Sequence, residues 1–463
     1  LLAGGAVFSR ACHDHAITET APGHATLLSG RYPRSTGITA NLFGVADPER
    51  PLLGARGDGA SPRRFRGTTL VDWMVAADPR SRALSVSLKD RGAILPLGRA
   101  KQSVFWYSTD GEFTTSTYYA DTLATWVRQF NARQLPRKTA GTAWTLLLPP
   151  DQYPEPDTVA QEAGGADNVF PHRIPADSAA AASYVRATPA GDAITLALAL
   201  AGLEALRLGE GPAPDLLAVS LSATDYIGHR YGPDSREIHD QVLQLDRLLG
   251  RFLDSLYRLR DSATVAIALT SDHGIARLPE LAGVTPGRVD LDSAVAEVGR
   301  WIVAQGGDAD WIALDDGALL ADRAALERRK IEPDSVAARF VALVRGAPGV
   351  HRADLLSALA SADTVHDVIA RRWLHMFPLR GYALAVVTLG PGNVWGHRAA
   401  AEHGTPNDYD VHVPLILYGP WFKPGRYDAP VRTVDLAPTL AAVLGVEPME
   451  RLDGVVLSGP VKP

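Results

Sequence analysis

An α/β fold built on a wound, mostly parallel sheet is predicted by three observations. Short, nearly all-apolar runs read as buried strands, longer runs of helical period separate them, and polar residues able to do chemistry cluster where the strands end. ALSVSL (residues 83–88), LLAVSL (216–221), TVAIALT (264–270) and VPLILYG (413–419) are the strands, each closed by polar residues. Residues 236–259 place Val242, Leu245, Leu249, Phe252, Leu253 and Leu256 on one face of an amphipathic helix. VDLAPTLAAVLG (434–445) is a second helix, ended by a glycine stop. The apolar run beginning at Ala193 is interrupted by Glu204 and Arg207 before it reaches spanning length, so it predicts a buried helix and no membrane span.

Two stretches fit the wound core poorly. Residues 101–186 are rich in Pro, Gly, Trp and Tyr and predict a capping insertion with one helix near 118–130. Residues 281–380 contain a helix, hairpin-like strands and a second helix, enough for a small α+β insertion. The whole of residues 1–463 is otherwise expected to form a single catalytic domain. With 463 residues, 46% hydrophobic and 21% charged, the chain can bury an extensive core. A formal net charge of −6 without a long Lys/Arg run leaves no electrostatic footprint for nucleic acid or anionic lipid. Cys12 is alone, which excludes an intramolecular disulfide, and it reads as a small buried hydrophobe. The opening LLAGGAVFSR has no basic segment followed by an apolar one, so no signal peptide is legible.

The chemistry gathers at strand ends, where open α/β sheets hold ligands. LLAVSL runs into SATDYIGH, placing Asp225 and His229 in a Gly-containing loop four positions apart, able to chelate one cation. TVAIALT runs into SDHG. Asp272 and His273 would point to opposite faces of a continuing strand, so both ligate only if the strand stops, which Gly274 permits. His403 lies in a loop ahead of VPLILYG and can complete the first metal. A lone strand-end Asp is commonly a cap and a lone His a satisfied core residue; two Asp/His clusters plus a third His make a metal centre the better account. Thr20 precedes APGHATLLSG, where Pro22 and Gly23 suit a helix start, so helix N–H groups are expected to face an incoming phosphate. Thr18 is a rival nucleophile, His24 a supporting residue, and His13 and His15 ordinary ones.

From TETAPGHATLLSGRYPRSTGI through SLKDRGAI, SATDYIGHRYGP and TSDHG to EHGTPNDYDVHVPLILYG, the chain resembles the alkaline phosphatase superfamily, and within it the bacterial phosphatases with a threonine nucleophile. The resemblance implies an alkaline-phosphatase-like sandwich and two Zn2+ ions. The first would be held by Asp225, His229 and His403, and the second by Asp272, His273 and one further Asp, with Thr20 as nucleophile. It also implies that Lys89, Arg91 and Asn41 grip the phosphoryl group. A monoester dianion exposes three oxygens and needs such donors beyond the metals, so small phosphate monoesters are the expected substrates. The pathway implied is attack by Thr20, a phosphothreonine intermediate and its hydrolysis. Family members carry the remaining Asp on an opening apolar strand, which has no counterpart here; Asp14 stands in a different context, and the sequence therefore reads as N-terminally incomplete. A periplasmic or secreted location is implied by the family alone. A phosphodiesterase or nucleotide pyrophosphatase on the same scaffold, and a non-catalytic metal- or phosphate-binding relative or inactive fragment, are the alternatives. The oligomeric state is not legible.

Overall fold

The computed structural model describes residues 1–396 and 399–462. Strand β1 (Ala6–Phe8) leads to α1 (Thr20–Leu27), β2 (Ala83–Ser87), α2 (Asp90–Ile94), β3 (Ser103–Tyr107), α3 (Pro189–Ala205) and β4 (Leu216–Ser220). β2 lies between β3 and β4 and is parallel to both, with Val86 opposite Phe105 and Val219. Parallel neighbours need a crossover. α2 opens the first of these, and the second ends with α3, the buried helix predicted from the run at Ala193. Among the described residues no helix is long and apolar enough to cross a membrane.

After β4 come α4 (Ala223–Tyr231), α5 (Arg236–Leu259) and β5 (Ile267–Thr270). The second insertion follows, with α6 (Asp292–Ala304), a hairpin of β6 (Ile312–Asp315) and β7 (Ala318–Ala321), α7 (Pro333–Val344), β8 (Val350–Leu355) and β9 (Ala383–Leu389). Its sheet is antiparallel, in the order β6-β7-β9-β8, over a core of its own that includes Val298, Ile302, Phe340 and Val387. The unit is longer than the expected 281–380, because β9, fully buried and flanked on both sides, is one of its central strands.

The chain returns through β10 (Leu415–Tyr418) and β11 (Gly425–Tyr427) and ends on α8 (Leu436–Leu444), stopped by Gly445 at φ 67°. These strands join β1 and β5 in the order β11-β1-β10-β5. β10 is antiparallel to both neighbours. The reason is topological: the loop preceding β10 and the loop following β5 lie at the same end of the sheet. Parallel pairing thus dominates around β2 and gives way to a mixed pattern around β10.

Two expectations about burial need correction. β4 and β5 are the outer strands of their sheets and leave one edge without a strand partner among the described residues, so both are half-exposed where buried strands were expected. Of the predicted apolar face of α5, only Leu256 is buried, and Val242 is 51% exposed. In the cap, the expected helix at 118–130 is confined to Thr125–Asn131, because the Ser116 carbonyl accepts from Tyr119 N and Ala120 N in a turn just upstream. The cap is pinned to α5 by the buried Asp240 carboxylate, which accepts from Trp144 Nε1 at 2.6 Å and the Tyr153 hydroxyl at 2.7 Å.

Candidate active site

Thr20 is the first residue of α1 and is 1% exposed. The helix start packs directly on the segment after β5: a Cβ at Gly23 would lie 2.2 Å from the Asp272 carbonyl oxygen. The glycine of TAPGH is therefore required by close approach. The N–H groups of this helix start do not form an open cradle, however. Ala21 N donates to Asn41 Oδ1 at 3.0 Å, Pro22 has no N–H, and Gly23 N donates to the Glu19 carbonyl at 3.0 Å. Of this turn, the Thr20 N–H alone is left for a ligand.

Asp225 and His229 sit on α4, one helical turn apart on one face, and not in a loop as expected. β5 stops at Thr270, as predicted, and both following residues reach the site. His273 Nε2 is 3.5 Å from Asp272 Oδ2 and 3.6 Å from Asp225 Oδ1. Gly274 serves a different purpose from the one expected: its φ is not positive, but a Cβ there would lie 2.1 Å from the Tyr409 carbonyl oxygen. His403, in the loop before β10, brings Nε2 to 3.1 Å from His229 Nε2 and 3.5 Å from Asp225 Oδ1. The ligand atoms of Asp225, His229 and His403 all lie within 4.8 Å of one another.

Each imidazole is aimed from behind. Nδ1 of His229 meets the Ala401 carbonyl at 2.9 Å, that of His403 the Thr18 carbonyl at 2.7 Å, and that of His273 the Gly274 carbonyl at 2.8 Å. A proton on Nδ1 leaves the Nε2 lone pair directed inward, the arrangement typical of metal-ligating histidines. Asp225 Oδ1 and His273 Nε2 are buried without hydrogen-bond partners. Two inward Nε2 atoms, a carboxylate oxygen and orphaned buried acceptors fit a divalent cation.

The electrostatics agree. Burial pushes the Asp225 carboxyl up, but Lys89 and the neighbouring His403 outweigh it and hold it well below the usual carboxylate range. For Asp272, burial is likewise outweighed, by His273, His24 and Lys89. Burial lowers His273 to about 3, so it is neutral and able to ligate. His403 is the exception: burial works to lower it, but Asp225 outweighs this and raises the imidazole to about 9, so without a cation it carries a proton that a metal ion would have to displace.

Lys89 lies at the N-cap of α2 with its side chain 5% exposed. Nζ bonds the Asp225 carboxylate and reaches Thr20 Oγ1 at 3.2 Å. Arg91, two positions on, is half-buried, with Nη1 3.5 Å from Asp90 Oδ1 and a buried Nε that has no partner. Asn41 stands beside the start of α1, its Nδ2 donating to Glu19 Oε1 at 2.9 Å and its backbone N to Glu19 Oε2 at 2.6 Å.

Thr18 is no rival, since its hydroxyl is buried and donates to the Thr405 carbonyl at 2.9 Å. His24 supports the site, with Nδ1 3.2 Å from Asp272 Oδ2 and Nε2 2.9 Å from Ser220 Oγ at the end of β4. His13 braces the loop after β5 through the Ser271 carbonyl at 2.9 Å, and His15 is buried against it. Asp14 is committed elsewhere, to Arg371 at 3.0 Å and His375 at 3.4 Å. Cys12 is half-buried, with its thiol pushed up first by burial and then by Asp14, which removes it as a nucleophile.

Three acidic residues near the site were missed by sequence reasoning. Glu19 holds Asn41, Glu402 lies 3.5 Å from His229 Nδ1, and Asp316, at the turn between β6 and β7, lies beside Glu19 and against Gly404; burial first and then Glu19 raise its carboxyl. Glu19 and Glu402 stand in the motifs themselves. Asp316 carries no sequence signal, since it arrives from the insertion.

The comparisons with known proteins agree with this geometry. The model of the type I phosphodiesterase/nucleotide pyrophosphatase family matches residues 1–358. Alkaline phosphatase PhoV of Synechococcus elongatus is 29% identical over 96% of this chain and 84% of its own length. Alkaline phosphatase PhoK of a Sphingomonas species is 30% identical over 98% of this chain and 85% of its own. The crystal structure of alkaline phosphatase PafA superposes with a TM-score of 0.90 at 27% identity, covering 99% of this chain and 92% of that one. A second PafA structure, with one Thr, one Asn, one Lys and one Arg substituted, gives 0.91. The chain belongs to the type I phosphodiesterase/nucleotide pyrophosphatase family of the alkaline phosphatase superfamily, as a phosphoryl hydrolase of the alkaline phosphatase type.

Proposed function

We propose that this protein hydrolyses phosphate monoesters with Thr20 as nucleophile and two zinc ions as cofactors. The observation that carries the reading is the convergence on Thr20: its hydroxyl lies 3.2 Å from Lys89 Nζ, which in turn bonds Asp225, the carboxylate shared by the Nε2 atoms of His229, His403 and His273. Asp225, His229 and His403 would hold one ion, and Asp272 and His273 the second. When bound, the ions supply Lewis-acid charge for the oxygens that become negative during transfer.

The chain's own groups account for the remaining work. Thr20 gives its hydroxyl proton to solvent as Oγ attacks phosphorus in line; the threonine–phosphorus ester bond forms, the ester P–O bond breaks, and the leaving alkoxide takes a proton back from solvent to depart as the alcohol. Water then cleaves the phosphothreonine, releasing phosphate and restoring the hydroxyl. Lys89, Arg91 and the free N–H of Asn41 hold the peripheral oxygens in both steps. The Thr-to-Asn and Lys-to-Arg spacings in the substituted PafA are those of Thr20 to Asn41 and Lys89 to Arg91, which supports this assignment.

The second ion is short of one carboxylate in this ligand set. The edges that β4 and β5 leave without a strand partner among the described residues, with the strand ends meeting at His24, are where a further strand could pair and bring that carboxylate. A periplasmic or secreted location belongs to the same proposal and is testable by fractionating the native cells. The family description favours a second reading, a phosphodiesterase, which comparison of p-nitrophenyl phosphate with bis-p-nitrophenyl phosphate separates. The central test is Thr20→Ala: zinc content stays, turnover of p-nitrophenyl phosphate is lost, and the acid-quenched enzyme no longer carries a phosphoryl adduct. A variant that keeps zinc-dependent turnover refutes the assignment.

A further inference from the structure

The amide of Asn41 is oriented by its partners without ambiguity. Its Oδ1 accepts from Ala21 N at 3.0 Å, so Nδ2 is the face turned to Glu19, where one of its protons goes to Oε1 at 2.9 Å. The other Glu19 oxygen takes the Asn41 backbone N–H at 2.6 Å. One carboxylate therefore grips the Asn41 main chain and side chain together, and a single N–H stays free on an amide whose oxygen is bonded to Ala21, the residue after Thr20. Were the amide turned over, that free proton would be replaced by a lone pair facing the phosphoryl group.

We infer that Glu19 is a positioning residue for phosphate recognition, which acts by fixing the Asn41 amide with its N–H toward the transferring group. The inference rests on the proposed role of Asn41 in holding phosphate. Asp316, at the β6–β7 turn, lies beside Glu19, so the insertion borders the residue that holds Asn41. A carboxylate next to an anion site would oppose binding if it faced the ligand. Both Glu19 oxygens are instead committed to Asn41 donors, which makes the residue a scaffold for a donor rather than a contact.

The test is a double-mutant cycle on the zinc-loaded enzyme with Glu19→Gln and Asn41→Ala, read as kcat and KM for p-nitrophenyl phosphate and as inhibition by inorganic phosphate. Gln presents an NH2 where Asn41 also donates, so Glu19→Gln is expected to lower kcat/KM by about 10- to 100-fold, the range for one hydrogen bond to a charged group. Asn41→Ala is expected to do the same, both to weaken phosphate inhibition, and the double variant to fall no further. Glu19→Asp, which keeps the acceptors, should recover part of the loss. Zinc content and melting temperature like those of the parent separate positioning from misfolding. If Asn41→Ala is impaired while Glu19→Gln is not, or if the two losses multiply, the inference is overturned and the role of Asn41 stands. If Asn41→Ala leaves both kcat/KM and phosphate inhibition unchanged, the phosphate-binding role fails and the inference with it. Should Glu19→Gln not fold, Glu19→Ala, which also removes the acceptors, takes its place in the cycle: a double variant no worse than Asn41→Ala supports the coupling, and losses that multiply overturn it.

Discussion

Replacing Lys89 with Met keeps the volume of the side chain and removes its charge. The Lys89 side chain is 5% exposed and its ammonium touches both Thr20, the proposed nucleophile, and Asp225, so little solvent screens it. Loss of one preorganised donor to the transferring group is worth about 2.7–4 kcal/mol, or roughly 10²–10³ in kcat. Interaction energy scales with the charge on the substrate, and a diester carries one negative charge where a monoester dianion carries two. About half the energy, and so the square root of the factor, roughly 10–30-fold, is expected for bis-p-nitrophenyl phosphate. Lys89→Met should also melt lower in chelator, because Asp225 loses its cationic partner, a change worth roughly 3–5 kcal/mol for a buried pair. Added zinc should narrow that gap by giving the carboxylate another cation. Steady-state kinetics on both esters at matched zinc content decide the matter. Equal losses on the two substrates, or no loss on the monoester, would refute the idea that Lys89 reads the phosphate charge.

Two other outcomes are expected. His403→Ala and His229→Ala should each lose one equivalent of zinc by elemental analysis and nearly all turnover, whereas Thr18→Val, which removes only a hydroxyl bonded to the Thr405 carbonyl at 2.9 Å, should retain both. Asp14, 3% exposed, is the third case. Burial works to raise its carboxyl, but the hydrogen bonds from His375 and Arg371 outweigh this and lower it from 3.8 to about 2. A folded-state value below the unfolded one contributes stability that is present above pH 4 and is lost as pH falls through 2. Asp14→Asn should therefore cost roughly 2 kcal/mol at pH 7, and the difference in urea midpoint between the two proteins should close between pH 4 and pH 2. A constant difference across that window would contradict the assignment.

Local pattern made much of this molecule legible. The helix over residues 236–259 follows from its apolar period, and its bounds match those of α5. SDHG announces where β5 stops, and the His403 loop was placed correctly. The misreadings came from tertiary context. The glycine in SATDYIGH suggested a loop, but a single glycine is tolerated in a helix, and α4 uses the same four-residue spacing to put Asp225 and His229 on one face. All-apolar strands look alike at the centre and at the edge of a sheet, so the half-exposure of β4 and β5 was invisible. The occupancy of the Ala21 N–H depends on where Asn41 folds back, a contact across twenty residues that no local period encodes.

The absence of a side chain at Gly23 sets how adaptable the centre can be. With Asp272's carbonyl oxygen where a methyl would sit, main chain rests on main chain, and the backbones of Thr20, the proposed nucleophile, and of Asp272 belong to one stiff body. Side-chain rotamer changes leave the spacing of these two backbones as it is. Accommodation of different alcohols is left to the outlying pieces, the cap and the hairpin tip, and variants there should alter which esters are preferred well before they alter how fast phosphorus is transferred.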